Sequence, residues 1–335
     1  MLEKWLRIRP EEATFARRGF RSAGIEAQSR LERVGEVFLY GYHAALEDRG
    51  ILALLPKLES MDLEFRGFAY EGAAMALDLL DQLKPSRASR VREFVQGPGS
   101  PHIYMVHVGV GWSLARLPFR WRNRLSRLDP LLRWLVIDGF GFHEGYFHWP
   151  AYNKGEHCPQ WLRGYALRAF DQGLGRSLWF VSGADPEWIA ETIAAFAHPR
   201  RADLWSGIGL ACAYAGGAEI TTIRTLKMAA AVHRDHVAQG AVFAAGARYR
   251  AGNPTANTEL ACRILCGISA REAAALSDDT LARAREDYEP AYEVWRRLIR
   301  TYFREHAPNQ TLAAEEGNFG SRVLSGLREG SQYVQ

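Results

Sequence analysis

The heptapeptide FHEGYFH at residues 142–148 carries the densest set of groups capable of chemistry. A zinc-protease helix needs the pattern His-Glu-x-x-His, which places both imidazoles on one helix face. Here His143 and His148 are five residues apart, about 500° of helical rotation, so we expect their rings to diverge. This spacing excludes a zinc-protease site, and we predict no metal site, with a single metal ligand from His143 or Glu144 as the alternative. His143 and Glu144 remain candidates for proton transfer, with a hydrogen bond to backbone at a helix junction as the alternative for Glu144.

Four residues with carboxyl or amide side chains directly precede a glycine: Glu71, Glu144, Gln172 and Gln239. In a protein built from repeated units, matching positions lie along one strip of the stack. Such a strip in an apolar setting can hold a ligand, and a buried carboxylate can act as a general acid or base. The alternative is a structural role, in which these side chains satisfy backbone groups near the glycines.

Arg176 stands inside the hydrophobic run GLGRSLWF. A buried guanidinium requires a carboxylate or a ligand anion as its partner. Glu71, Glu144 or Asp171 would serve as internal partners, and a substrate carboxylate or phosphate is the alternative. The sequence therefore marks Arg176 as a candidate anchoring group.

His107 is a further candidate, because it and His143 occupy similar places in glycine segments and could face a common interior. The candidate residues form a catalytic set and a ligand-binding set. The predicted catalytic residues are Glu71, Glu144, His143 and His107. The predicted ligand-binding residues are Arg176, Gln172, Gln239, Tyr146 and Trp112. The many aromatic residues near these segments are core by default, but they would line an apolar tunnel if the helices surround a cavity.

The cysteines and histidines give no recognisable metal or redox pattern. Cys158, Cys212, Cys262 and Cys266 are scattered, and the last two share one helix face instead of forming Cys-x-x-Cys. We predict core thiols in a cytoplasmic chain. The repeated Glu-x-x-His of dinuclear helical metal sites is missing. No cofactor can be named from these residues.

Seven glycines, each followed by small residues, mark the elements that must position these groups. They are Gly41, Gly72, Gly109, Gly145, Gly173, Gly207 and Gly240, separated by 31, 37, 36, 28, 34 and 33 residues. Glycine inside a helix costs roughly 0.5–1 kcal/mol relative to alanine, which the close approach of a neighbouring helix would offset. We predict an all-α fold of tandem two-helix repeats, forming a solenoid or a closed helical ring. General richness in alanine and glycine is the alternative.

Helix signals fill the intervals between the glycine segments. Asp185-Pro186 and the capping box Ser269–Glu272 each open a helix, and no run alternates with a period of two. Residues 149–160, with two prolines, are predicted to form a loop. We predict one helical-repeat domain over residues 1–306 and a polar C-terminal tail over 307–335.

Composition excludes several classes of protein. The 42 basic and 38 acidic residues give a net charge of +4, and only five of the basic residues are lysines, so a nucleic-acid partner is disfavoured. No apolar stretch approaches the ~20 residues that span a bilayer, and no signal peptide follows Met1. We predict a cytoplasmic protein with no membrane span.

Four segments together resemble a known family: RGFAYEGAAMALDLLD (66–81), HVGVGWSLARLP (107–118), LDPLLRWLVIDGFGFHEGYF (128–147) and FDQGLGRSLWFV (170–181). They are similar to an uncharacterised family encoded beside enediyne polyketide synthases in actinomycetes. The resemblance implies an accessory factor in enediyne biosynthesis, acting on a polyketide-derived polyene or at a later step. The family supplies no established catalytic residues.

Three functional hypotheses remain open. The first is an accessory enzyme of enediyne biosynthesis that acts on a hydrophobic polyene or enediyne intermediate in a helical cavity. The second is a non-catalytic scaffold or carrier that binds the intermediate or docks on the synthase and other biosynthetic proteins. The third is a metal-dependent oxidase. Perturbed carboxylates converging on a pocket would favour the enzyme, and an open groove without converging polar groups would favour the scaffold.

Overall fold

The structure is a computed structural model that describes residues 6–84, 89–118, 121–126, 128–152 and 157–306. Every regular element in these ranges is a helix, so the predicted all-α class is confirmed. The predicted tail over 307–335 lies outside the described residues. No helix in the described ranges is both long and apolar enough to cross a membrane.

Sixteen α-helices occur in the described ranges, together with short 3-10 helices at Pro10–Ala13, Ser100–His102 and Ala231–His233. The α-helices are α1 (Phe15–Arg18), α2 (Ile25–Leu46), α3 (Ile51–Glu59), α4 (Arg66–Leu83), α5 (Arg90–Gln96), α6 (Ile103–Arg116), α7 (Trp121–Leu125), α8 (Arg133–Tyr152), α9 (Tyr165–Val181), α10 (Pro186–Ala194), α11 (His198–Ala215), α12 (Ile220–Ala229), α13 (Arg234–Arg250), α14 (Ala256–Leu265), α15 (Ala270–Arg283) and α16 (Ala291–Glu305).

Long helices alternate with short ones along most of the chain. The long helices pack in chain order, α2 on α4, α4 on α6, α6 on α8, α8 on α9, α9 on α11, α11 on α13 and α13 on α15. The short helices also contact one another: α10 packs on α12, and α12 packs on α14. Each long helix except those at the two ends is therefore covered on two sides by its neighbours in the row.

Glycines lie at the crossings between the long helices. A Cβ at Gly72 would overlap the carbonyl oxygen of Phe38, and a Cβ at Gly173 would overlap that of Asp138. Only a residue without a side chain lets two backbones pass this closely. The close helix approach that the sequence predicted is therefore present at these glycines.

One of the seven glycines was assigned wrongly. In α8 the residue pressed against the preceding long helix is Gly139, whose Cβ would overlap the carbonyl oxygen of Val108. Gly145 instead faces the side chains of Ser177 and Leu174 on α9. With Gly139 as the marker, the spacings around α8 become 30 and 34 residues, more even than the 36 and 28 found with Gly145.

The predicted helix starts are present, but the predicted loop is partly helical. Asp185 accepts hydrogen bonds from the backbone of Glu187 and Trp188, and Ser269 and Glu272 form the complete capping box. Residues 149–152 of the loop predicted over 149–160 are helical, because α8 continues through Pro150 to Tyr152, and residues 153–156 lie outside the described ranges.

Helix α8 continues past its proline by means of a kink. His148 has non-helical angles, φ −124° and ψ 26°, just before Pro150. Proline has no N–H to donate to the carbonyl four residues earlier, that of Tyr146. The guanidinium of Arg18 donates to this carbonyl at 3.1 Å and to that of Phe147 at 2.7 Å. Arg18 thus satisfies the backbone at the kink and holds the N-terminal segment against α8.

Candidate functional site

An apolar cavity of about 650 Å³ lies between the long helices. Helices α2, α4, α6, α8, α9 and α11 contribute to its wall, and Ile8, Glu12 and Ala13 of the N-terminal segment cover one side. Its aromatic lining consists of Phe38, Phe68, Trp112, Phe142, Tyr146, Phe147, Phe180 and Tyr214.

Glu71 brings a carboxyl group into this apolar lining. The side chain is buried, and Trp112 donates an indole N–H to it at 3.1 Å. Burial raises the pKa of Glu71 to about 7, against the opposing effects of Arg176 and the Trp112 hydrogen bond. Both the neutral and the ionised carboxyl are therefore accessible near neutral pH, which is the condition for a general acid or base.

Arg176, the other charged group deep in the cavity wall, has an internal partner. It forms an ion pair with Asp138 and lies over the Phe142 ring at 5.0 Å. Burial lowers the pKa of this guanidinium, but the carboxylates of Asp138 and Glu71 more than offset that and keep the group charged. Of the two partners foreseen for Arg176, the carboxylate is present, and it is Asp138 instead of Glu71, Glu144 or Asp171.

The predicted strip of polar side chains contains Asp138 in place of Glu144. Five of the crossing glycines are directly preceded by a polar residue, and these residues are Glu71, Asp138, Gln172, Ser206 and Gln239. Glu144 does not belong to this set, because it precedes Gly145. The signal that identifies Asp138 is a shared pattern, a polar residue followed by Gly-x-Gly, in DGFG, QGLG and SGIG.

Gln172 and Gln239 belong to a buried hydrogen-bond network next to the cavity and do not line it. Gln172 donates to Asp138 at 2.8 Å and to the Tyr292 hydroxyl at 3.0 Å. Gln239 accepts from Ser206 at 2.8 Å and from Arg296 at 3.1 Å. The network fixes Asp138, and through it Arg176, in one orientation.

A buried ion cluster extends this network. Arg296, fully buried, pairs with Asp203 at 2.7 Å and with Glu293 at 3.1 Å. Glu293 also binds Arg168 and Arg300, and despite its burial these arginines hold its pKa well below the usual range. A removed partner would leave a buried charge uncompensated, so this cluster fixes how α9, α11 and α16 sit together.

A second apolar cavity, of about 430 Å³, shares Arg176, Leu210 and Tyr214 with the first. It extends the space toward α13 and α16, where Phe243 and Trp295 line it. The hydroxyl of Tyr214 is buried and has no hydrogen-bond partner among the described residues. These shared residues therefore form a partition between two apolar chambers, with one guanidinium and one unsatisfied hydroxyl in it.

The remaining predicted site residues divide between the cavity and the surrounding structure. Trp112 and Tyr146 line the cavity. His107 is buried outside the lining, with its Nδ1 2.7 Å from the Ile103 carbonyl, and burial lowers its pKa. His143 is also outside the lining, with its ring 5.6 Å from Trp112.

The two histidines of the FHEGYFH segment do not diverge as predicted. His143 Nδ1 lies 3.2 Å from one oxygen of Glu144, and His148 Nδ1 lies 3.4 Å from the other. The rotation argument assumed a regular helix, and the kink at His148 removes that assumption. Glu144 also accepts from the Tyr152 hydroxyl at 3.1 Å. It therefore bonds side chains, and the backbone role considered for it is not observed.

The fold and the site define an all-helical protein with an apolar cavity into which a carboxyl group and a guanidinium are built. The chain belongs to a family described as "Protein of unknown function (DUF1702)", whose sequence model matches residues 2–303. No curated protein and no solved structure matches the chain.

Proposed function

We propose that this protein is an enzyme that binds an elongated apolar small molecule in the cavity and transfers a proton through Glu71. One observation carries the proposal: a buried carboxyl group with a pKa of about 7 lies in the mostly apolar wall of the cavity. A scaffold or carrier needs the apolar wall but has no use for a carboxyl group held at this costly position.

Arg176 is the second part of the proposed chemistry. When ionised Glu71 removes a proton from the ligand, a carbanion forms, and when neutral Glu71 donates its proton, its own carboxylate remains. In both cases an anion lies in surroundings that solvate charge poorly. Arg176 lines the same cavity, and its ion pair with Asp138 holds the guanidinium in place, so its N–H groups can stabilise such an anion without further reorganisation. We assign Glu71 as the acid or base and Arg176 as the electrostatic stabiliser.

The lining indicates the class of substrate. Its aromatic rings offer flat surfaces for a conjugated or extended aliphatic molecule. The resemblance of segments 66–81 and 128–181 to proteins encoded beside enediyne polyketide synthases supports a polyene or enediyne intermediate as that molecule. On this proposal, other proteins of the same biosynthetic pathway would be partners, and the reaction would take place in the cytoplasm.

The same proposal includes a closed arrangement of the long helices around the cavity. Support comes from hydrogen bonds that tie late helices to early ones. Arg248 on α13 donates to the Glu64 carbonyl before α4, and Arg30 on α2 donates to the Ala215 carbonyl that ends α11. These ties favour a ring over an open solenoid.

Genetic complementation separates the enzyme from the scaffold. In a producing strain that lacks the gene, the wild-type protein should restore the enediyne product, and the Glu71→Gln variant should not. The matched control is Glu47→Gln, which removes the carboxylate of a half-buried glutamate that lies outside the cavity lining. Full restoration by a folded Glu71→Gln protein would show that the carboxyl is dispensable and would favour the scaffold.

Binding is measured separately with 1,6-diphenylhexatriene, an apolar conjugated fluorophore. We expect its fluorescence to rise on binding to the wild-type protein and to Glu71→Gln alike, because the lining is unchanged. Ala211→Phe, which fills the cavity, should weaken binding at least tenfold. Equal binding by the Ala211→Phe protein would place the probe elsewhere and contradict the cavity assignment.

A further inference from the structure

The kinked end of α8 gathers three potential metal ligands at one point. The ligand atoms of His143, Glu144 and His148 all lie within 4.8 Å of one another. Each imidazole Nδ1 faces a different oxygen of the carboxylate, at 3.2 and 3.4 Å. Two ligands bound to one tetrahedral ion at about 2.0–2.1 Å are themselves about 3.3 Å apart. The two nitrogen–oxygen separations already match that value.

The surroundings of these side chains resemble those of a metal site. His143 is buried against the rings of Trp112 and Phe147, with centroid distances of 5.6 and 4.8 Å, which limits its rotation. Tyr152 donates its hydroxyl to Glu144 at 3.1 Å and so orients the carboxylate. An outer hydrogen bond that orients a ligand is a regular feature of protein metal sites.

The exposed side chain of His148 gives an ion access to the three ligands and can move to complete their geometry. Its side chain is 57% exposed, so it can move the short distance needed to bring the widest ligand pair together. The same exposure gives an ion and its remaining water ligands access from solvent. Two imidazoles and one carboxylate suit zinc and other first-row transition metals better than magnesium or calcium, which prefer oxygen ligands.

We propose that His143, Glu144 and His148 bind a divalent first-row transition metal ion such as Zn²⁺, with at least one coordination position open to water. The kink makes the site possible, because a regular helix would separate the two histidines. The bound ion would fix the end of α8 beside Trp112, whose ring lines the cavity. This site is separate from the proposed chemistry of Glu71.

The test is titration of the full-length protein with Zn²⁺ by calorimetry and with Co²⁺ by visible absorption. The wild-type protein should bind one Zn²⁺ ion per chain, and Co²⁺ should give the intense d–d bands of a low-coordinate site. His148→Ala should weaken binding at least tenfold and abolish these bands. Because His148 is exposed, this variant should keep its fold, which circular dichroism checks.

Two further variants make the result specific. Tyr152→Phe keeps all three ligands but removes the orienting hydroxyl, and should weaken binding about 10–100-fold. His306→Ala changes an exposed histidine at the end of α16 and should leave binding unchanged. Equal Zn²⁺ affinity in the wild-type and His148→Ala proteins would overturn the proposal, and the three side chains would then be an ion pair only.

Discussion

Among single residues, Glu71 has the clearest measurable consequence. Its pKa is about 7 in the folded protein, against 4.5 for an ordinary glutamate. Between these two pH values the unfolded chain releases the proton and the folded chain keeps it. The folded state therefore binds more protons, and its stability must fall as pH rises through this window.

We expect Glu71 to reduce the free energy of unfolding by about 3 kcal/mol between pH 4.5 and pH 7, since one pKa unit corresponds to about 1.4 kcal/mol. The measurement is urea unfolding at several pH values for the wild-type and Glu71→Gln proteins. The wild-type curve should fall more steeply, by roughly that amount over the window. Parallel curves would mean that Glu71 titrates normally in the folded state.

Sequence reasoning identified the need of Arg176 for a partner but not the partner itself. The apolar neighbours of Arg176 in the sequence predict that it is buried, and a buried guanidinium needs a carboxylate partner. The sequence pattern does not point to Asp138 when Gly145, instead of Gly139, marks its helix. Glu71 was chosen for the right position, but its contact with Trp112 joins α4 to α6 and depends on tertiary structure.

At the scale of helices, the crossings are limited by backbone contact. A methyl group at Gly139 would overlap the Val108 carbonyl oxygen, which is backbone and cannot move aside without shifting α6. At Gly246 in α13 the nearest atom to such a methyl is the Ser277 hydroxyl oxygen, at 2.8 Å, which can rotate away. The two glycines therefore differ in what an added methyl would meet.

We expect Gly139→Ala to destabilise the protein by more than about 2 kcal/mol, because the overlap exceeds what side-chain repacking can absorb. Gly246→Ala is the matched control and should change stability by less than about 1 kcal/mol, because alanine also favours the helix. Urea unfolding of both variants provides the comparison. Similar losses in the two proteins would show that helix crossing at Gly139 does not depend on backbone contact.

The starts of helices can be predicted from the sequence more easily than the kink within α8. The caps at Asp185 and Ser269 act within a few residues and can be read locally. The kink in α8 could not be read this way, because Pro150 favoured a loop. Continuation of the helix depends on Arg18, more than a hundred residues away in sequence, which donates to the freed carbonyl of Tyr146.

At the scale of the whole molecule, the cavity has a wall and a cover that are held differently. The wall consists of long helices in backbone contact. The cover is the segment 8–19, attached by Arg18 to the α8 kink and by the Phe15 amide to Glu32 at 2.8 Å. The cover has fewer attachments than the wall and should open at lower free energy.

We expect Arg18→Met to speed amide hydrogen exchange in residues 15–20 at least tenfold, with little change in α9 and α11. Arg17→Met is the matched control. Both arginines pair with Glu12, but Arg17 is 58% exposed and makes no bond to the kink. Mass spectrometry of exchanged peptides gives both rates. Faster exchange throughout the wall helices would contradict the distinction between cover and wall.

The contacts at the glycine crossings also have a polar character. Where a Cβ would overlap a carbonyl oxygen, the glycine instead points a Cα–H at that oxygen, a weak hydrogen bond of about 0.5–1 kcal/mol. The acceptors on α4, α6, α8, α9 and α11 are Glu71, Val108, Asp138, Gln172 and Ser206, each directly before its own crossing glycine. The frame is thus a ladder of main-chain groups across successive helices, independent of which side chains face the cavity. Substitutions in the aromatic lining should therefore change the ligand that fits without disturbing this frame.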